Sequence, residues 1–422
     1  MARSTSNRLR PLNPSPWSWL ALVAAAGVVS VMTAPGQTAG LSVFTDPLIE
    51  DLGVSRTDIS MSYLIGTLAG ASVQPFIGRA LDRWGARRVT IAIGAVFALI
   101  LAALSFVGDI FGLTAGFTGV RMAGQGALTL AATTAVARAI HHRRGLALGI
   151  TSAIGSAGIS LAPVFLERLI AAVGIYQAWR WEALAVAAVV IPLALVFPKR
   201  APPLPPQATP STAQITVLTE SWTLPEALRS GMFWVMAASL ATAGMLTTAL
   251  AFHQIAVLGE QGLSPLESAA NFLPQTVTGI LATLLTGSLV DRLSPKIFIA
   301  FSMLTLTAAL LLLQVVSPGW SALVYGLVLG AAGGSLRGME AAAYVRYYGL
   351  AHIGSIRGVA TAIGLASTAF GPVALSLGFD LTGSFTGPAA VFAVLPLIVV
   401  AVSLFVRPPS TPSGSPVRTP HG

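Results

Sequence analysis

The chain contains no cysteine and very little charge. The first absence excludes disulfides and thiolate-held metals. The second sets 9% charged residues beside 54% apolar ones among 422 and excludes a water-soluble domain. Too few polar side chains remain to cover a surface, and the exposed apolar patch would aggregate. Lipid is the solvent that fits. A phosphate-binding loop is missing too, because the glycine-rich stretches lie inside apolar runs, with neither a preceding strand nor a lysine. Any work done by the chain therefore draws on a gradient. His141 and His142 have no acid or cysteine near them to complete a metal site, so neither a cofactor nor enzyme chemistry is expected. The formal charge of +9 is scattered between apolar runs and forms no stripe, which points to a membrane surface and away from nucleic acid.

What the chain does have is long apolar runs. A helix needs roughly 20 apolar residues to cross about 30 Å of hydrocarbon. By that ruler twelve spans are expected, near 18–40, 58–80, 87–107, 110–137, 145–170, 179–197, 231–256, 268–290, 296–316, 320–343, 357–378 and 385–406. The first run is too long for a cleaved signal peptide and lacks a small-residue cleavage site, so it reads as a retained span. A polar, proline-rich break separates six spans from six. The expected organisation is an N-terminal tail (1–16), a six-helix bundle (17–197), a central loop (198–229), a second bundle (230–406) and a disordered tail (407–422). Ile215 to Leu228 could form a short helix on the membrane surface. Arginine and lysine crowd one set of loops, including Arg79, Arg83, Arg138, Lys296 and Arg346. The opposite set collects Asp46, Glu50, Asp51, Asp58, Asp109, Glu260 and Glu267, with Arg56 among its few cations. The positive-inside rule then puts both termini and the basic loops in the cytoplasm of a cell whose inner or plasma membrane holds the protein.

Residues 78–88, Gly-Arg-Ala-Leu-Asp-Arg-Trp-Gly-Ala-Arg-Arg, form a short charged link between spans two and three. A reduced copy with Asp291 and Arg292 falls between spans eight and nine. The halves match elsewhere as well: Gln125-Gly126 to Arg138 in span four runs parallel to Gly333-Gly334 to Arg346 in span ten. One structural unit is thus written twice.

The stretch 78–88 resembles the loop motif of the major facilitator superfamily, a glycine followed by aspartate, arginine, glycine and basic residues. Arg121 with Gly124-Gln125-Gly126 resembles that family's fourth-span motif, and the likeness covers nearly the whole chain. It implies an all-α membrane fold of twelve transmembrane helices in two pseudo-symmetric six-helix bundles. Pro35-Gly36-Gln37-Thr38, Asp46-Pro47-Leu48-Ile49, His352 to Gly358 and Asp380-Leu381-Thr382-Gly383 are similar to the monocarboxylate and oxalate–formate branch. That branch often carries a cation in span eight or eleven. Here span eight offers only Asn271 and Gln275, and span eleven carries no charge past Arg357 at its first residue.

The residues divide by expected role. Gly78, Asp82, Arg83, Gly85, Arg87, Arg88, Asp291, Arg292 and Arg346 suit gating, with Gly78 and Gly85 letting backbones approach and Asp82 accepting from an arginine or a helix N-terminus. Arg121 lies roughly 16 Å into its span, near mid-bilayer, with Gln125 on the same face. Both could bind an anion, a role the guanidinium fork suits; the alternative is an arginine satisfied by span-one carbonyls or by a buried acid. Arg337, Gln37, Thr38, Tyr63, Asn271 and Gln275 are further candidates for a substrate site. Glu340 is read as the only carboxylate well inside a span, hence a proton carrier or half of an ion pair, and His253 could titrate. The function expected is alternating-access transport of a small organic anion, a monocarboxylate by the resemblance, coupled to protons by a monomer. Proton-driven efflux of an amphipathic compound and a transport-dead sensor or scaffold are the alternatives.

Overall fold

A computed structural model describes residues 16–140, 143–198, 222–290, 292–349 and 352–409. Among them there is no strand, and the helices assemble into twelve spans. Nine helical stretches are individually long and apolar enough to cross a membrane, from Trp19–Leu52 to Thr386–Phe405. The other three crossings are spans two, four and six: Arg56–Trp84, the run from Ile110 to Ala139, and Ile175–Ala194. His141, His142, Asp291, the tails and most of the central loop lie outside the described residues. Of the surface helix expected at 215–228, only Leu224–Arg229 is described, opened by a capping box between Thr223 and Glu226.

Several boundaries move, each for a local reason. Span one extends to Leu52, so Asp46, Glu50 and Asp51, expected in a loop, ride on the last turns of a helix that ends at left-handed Gly53. Span two starts where Ser55 and Asp58 exchange hydrogen bonds across the first turn, a capping box worth about 1 kcal/mol. It ends at Gly85, whose φ of +80° is open to glycine and strained for other residues, and this allows span three to begin at Ala86 with almost no loop. Span six begins at Ile175, four residues earlier than expected, with the consequence that Glu182 sits two turns inside it.

Span one is broken at mid-membrane. Pro35 cannot donate within a helix, and Pro16–Val31 gives way to a 3₁₀ turn, Ala34–Gly36, before Thr38–Leu52 resumes. The freed groups need partners, because lipid offers none. Span four meets the break with its own irregularity, a π-helical stretch over Arg121–Leu128 between Ile110–Val120 and Thr129–Ala139. A side chain at Gly36 would collide with the Val120 carbonyl at 2.3 Å, so the two spans can cross this closely only at glycine.

Each bundle has its own core. In the first, Phe44 stacks on Trp179 at 5.0 Å, with Phe97 and Phe117 fully buried. In the second, Phe233, Tyr344 and Tyr348 cluster at Tyr348's end of span ten. Gly330, Gly334 and Gly338 form a stripe at four-residue spacing on span ten (Trp320–Tyr348). Cβ atoms there would stand 2.1, 2.2 and 2.4 Å from the Gln275, Gly279 and Thr283 carbonyls of span eight. Small residues let helices meet in lipid, where van der Waals contact replaces the hydrophobic drive.

The repeat is visible as structure. Arg138 of span four donates to the Leu81 carbonyl at the end of span two, 3.4 Å away. Arg346 of span ten does the same for the end of span eight, to Val290 at 3.1 Å and Leu293 at 2.6 Å. These ends, with residues 78–88, which are helical except at Gly85, form the basic face of the molecule; the opposite end is the acidic face.

Candidate functional site

A cavity of about 700 Å³ lies between the bundles, within the range that binds small molecules. Span five contributes Ser152, Ser156 and Ser160, one helix face at four-residue spacing, and span one contributes Thr38. The second bundle contributes Thr247, Gln275, Thr276, Thr283 and Arg337, among apolar residues such as Ile280 and Leu329. Arg337 is the one charged residue in this lining, and its guanidinium makes no ion pair or hydrogen bond among the described residues.

The sequence-predicted binding residues fall into three groups. Thr38, Gln275 and Arg337 line the cavity. Tyr63 and Asn271 stand one layer behind: the fully buried Tyr63 shares a 2.7 Å hydrogen bond with Thr38. Asn271 donates to the Ala322 carbonyl at 2.7 Å and accepts from Gln275 at 3.1 Å, while Gln275 also donates to Gln254 at 2.8 Å. Gln37 and Gln125 do not line the cavity; Gln37 donates to Thr33 at 3.0 Å, and the Gln125 carbonyl oxygen is buried without a partner.

Arg121 also stands behind the cavity wall, against the expectation that it faces a substrate. It is 2% exposed. The break in span one has claimed it: Nη1 donates to the Gly36 carbonyl at 3.1 Å and to Thr38 at 3.5 Å, and Nε donates to Thr67 at 3.1 Å. Its guanidinium carbon lies 4.4 Å from the centre of the Tyr63 ring, a cation–π contact. No carboxylate pairs with it among the described residues.

Glu340 pairs with Arg357 of span eleven at 3.3 Å, and Arg337, three residues before it, points elsewhere. Glu340 is not the only acid well inside a span: Glu182 of span six is 7% exposed, with Oε2 buried and unpartnered. The starting residue expected for span six hid that depth. His253 is 1% exposed and sits at the junction of the bundles, with Nε2 3.0 Å from the Pro372 carbonyl and 3.4 Å from the Ser60 hydroxyl.

The gating candidates lie on the basic face. Asp82 pairs with Arg138 of its own bundle, and Arg87 donates to the Phe197 carbonyl at 2.8 Å, closing the end of span six. Arg83, Arg88 and Arg292 are exposed. Gly78, expected to admit a neighbouring backbone, has nothing within 4 Å of the position a Cβ would take. The reason is the conformation, since no hydrogen bond or ion pair among the described residues joins the bundles at this face.

Among the described residues, the hydrogen bonds and aromatic contacts that cross between the bundles lie from mid-span toward the acidic face. Thr57 donates to Asp380 at 2.5 Å and to Ser376 at 3.2 Å. Ser160 meets Thr276, and Tyr63 packs on Phe252 at 4.5 Å. Arg56, ion-paired to Asp46 at 2.7 Å, lies 5.3 Å from the rings of both Phe379 and Phe385 in the other bundle. The closure at Arg56 and Thr57 and the serine ladder of span five went unnoticed in the sequence. The ladder's spacing was a readable signal; Arg56 offered only its sign, a cation on an acidic side.

Comparison with known proteins agrees with this architecture. A bacterial homolog of the human lysosomal transporter Spinster, solved in an inward-facing and occupied conformation, matches with a TM-score of 0.65 at 14% identity, over 91% of this chain and 96% of that one. Its inward-facing, unoccupied form matches with a TM-score of 0.64 at 16% identity, over 93% and 95%. In sequence, the oxalate:formate antiporter of Oxalobacter formigenes is 25% identical over 221 residues, 52% of this chain and 50% of that protein. The MFS-type transporter hasB of Aspergillus fumigatus is 34% identical over 120 residues, 26% of this chain and 24% of that one. The chain thus spans about half the length of the first of these relatives and about a quarter of the second. The sequence profile of the Major Facilitator Superfamily matches residues 26–372, and the chain belongs to that family.

Proposed function

We propose that this protein is a secondary transporter that moves a small organic anion, a monocarboxylate, by alternating access. The observation that carries this reading is Arg337: an unpaired guanidinium in a cavity between two bundles, with no acid in the wall to neutralise it. A carboxylate can take both arms of the fork, and nearby hydroxyls such as Thr283 and Ser156 can serve its remaining polar atoms. The similarity to an oxalate:formate antiporter supports an anionic substrate. In this reading the cation that the branch carries in span eight or eleven is supplied by span ten. The basic face lies in the cytoplasm, and the conformation described opens toward it.

The test is uptake into proteoliposomes of labelled formate, oxalate, lactate and pyruvate. Arg337→Gln removes charge-assisted hydrogen bonds worth about 1.5–3 kcal/mol, so half-saturation should rise roughly 10- to 150-fold. Arg337→Lys, which keeps the charge and loses the fork, should fall between the two. Unchanged anion transport in Arg337→Gln would remove the proposed site.

Protons are the proposed coupling ion, and Glu340 is the carrier assigned. It lies on the cavity-forming span ten, and its partner Arg357 can be released when the acid takes a proton. Glu340→Gln should keep exchange of substrate for substrate while losing its response to an imposed pH gradient; a full response would exclude this carboxylate.

The apolar residues in the wall favour a second reading, efflux of an amphipathic compound. It predicts that Arg337→Gln leaves transport of a lipophilic cation intact.

A further inference from the structure

A separate groove of about 550 Å³ runs down the outer wall of the first bundle between spans two, three and four. Its walls are apolar, with Val73 and Ile77 from span two, Ala92 and Val96 from span three, and Met122 and Ala123 from span four. At its basic-face end stand Trp84 and Arg88, both exposed. From Val73 to Trp84 the helix rises about 16 Å, roughly half of a 30 Å hydrocarbon core. The groove is therefore one leaflet deep, apolar along its length and basic at its mouth.

The local charges leave that mouth uncompensated. Asp82, the acid of this corner, is held by Arg138. Arg88 has no ion pair among the described residues, and Arg83 lies 5.8 Å over the Trp84 ring with none either. The feature is also repeated. A groove of about 410 Å³ lies between spans eight, nine and ten, where Ala282, Thr286, Phe298 and Ala331 stand at the repeat positions of Val73, Ile77, Val89 and Ala123. A depression kept in both copies of the unit follows from how the three helices pack and is not an accident of one side chain.

We propose that the first groove is a binding site for an anionic phospholipid of the basic-face leaflet. One acyl chain lies between spans two, three and four, the phosphate pairs with Arg88, and Trp84 sits at the headgroup boundary. Tryptophan is favoured at that depth, and a basic residue there attracts anionic headgroups. Bulk lipid of any kind can wet an apolar groove. The site differs by selecting charge.

The experiment uses the full chain in phosphatidylcholine nanodiscs containing a small fraction of either phosphatidylglycerol or phosphatidylcholine with acyl-chain bromines. Tryptophan quenching is read in the unaltered protein and in Trp84→Phe, and the difference gives the Trp84 component. One basic residue near the surface gives a preference of about five-fold. The Trp84 component should accordingly be quenched at about five-fold lower fraction of the anionic lipid. Arg88→Gln should abolish that preference. Ala92→Phe, an exposed position that fills the groove and leaves Arg88 in place, should abolish it too. Equal quenching by both lipids in the unaltered protein, or a preference that survives both variants, would overturn the proposal and leave the groove to bulk lipid.

Discussion

Two arginines, one inside span four and one inside span ten, have opposite circumstances, and the difference can be measured. Arg121 is enclosed and donates to Gly36, Thr67 and Thr38; Arg337 is accessible and has no partner among the described residues. Arg121→Gln leaves the Gly36 carbonyl short of a buried partner, which costs about 1–3 kcal/mol, and the thermal midpoint in detergent should fall accordingly. Arg337→Gln, by contrast, should change stability by no more than about 0.5 kcal/mol while weakening substrate binding. If Arg121→Gln is as stable as the parent and loses only substrate affinity, Arg121 is a binding residue after all. The sequence made the depth of Arg121 legible and placed Arg337 inside a span. It could not tell them apart, because the group that engages Arg121 is a backbone carbonyl freed by the break at Pro35 and Gly36, eighty-five positions away. A bond of that kind leaves no trace in residue type.

At the scale of helices, the length of the apolar runs carried the twelve spans, and the repeat carried the pairing of spans four and ten. Helix irregularities were beyond them. The 3₁₀ turn at Ala34–Gly36 has a local cause in Pro35, but the π-helical stretch at Arg121–Leu128 that meets it lies in another span, so no single window of sequence reveals the pair. Gly78 tests the gating assignment of its helix. It faces open space within span two, where alanine is preferred to glycine by about 0.5–1 kcal/mol, so Gly78→Ala should leave stability unchanged or raised. If the basic face closes on this position during the cycle, the added methyl group has no room and transport should drop several-fold. Transport at the parental rate in Gly78→Ala would take this glycine out of the gate.

For the whole molecule, the described conformation is closed at the acidic face and unjoined at the basic one. The Thr57 and Ser376 hydroxyls, one from each bundle, are 3.2 Å apart. A cysteine pair there, Thr57→Cys with Ser376→Cys, should form a disulfide under mild oxidation and stop transport, and a reductant should restore it. The chain's lack of native cysteine leaves no other thiol to confuse the result. Transport that continues with the disulfide formed would mean that the acidic face need not open.

The chemistry of that closure has a thermodynamic consequence. Every ion pair among the described residues joins partners within one bundle: Asp46 with Arg56, Asp82 with Arg138, Glu340 with Arg357. What crosses between bundles is hydroxyl hydrogen bonding, aromatic packing and one cation over two rings, contacts too short in range for mobile ions to screen. The closure at the acidic face should therefore be nearly indifferent to ionic strength.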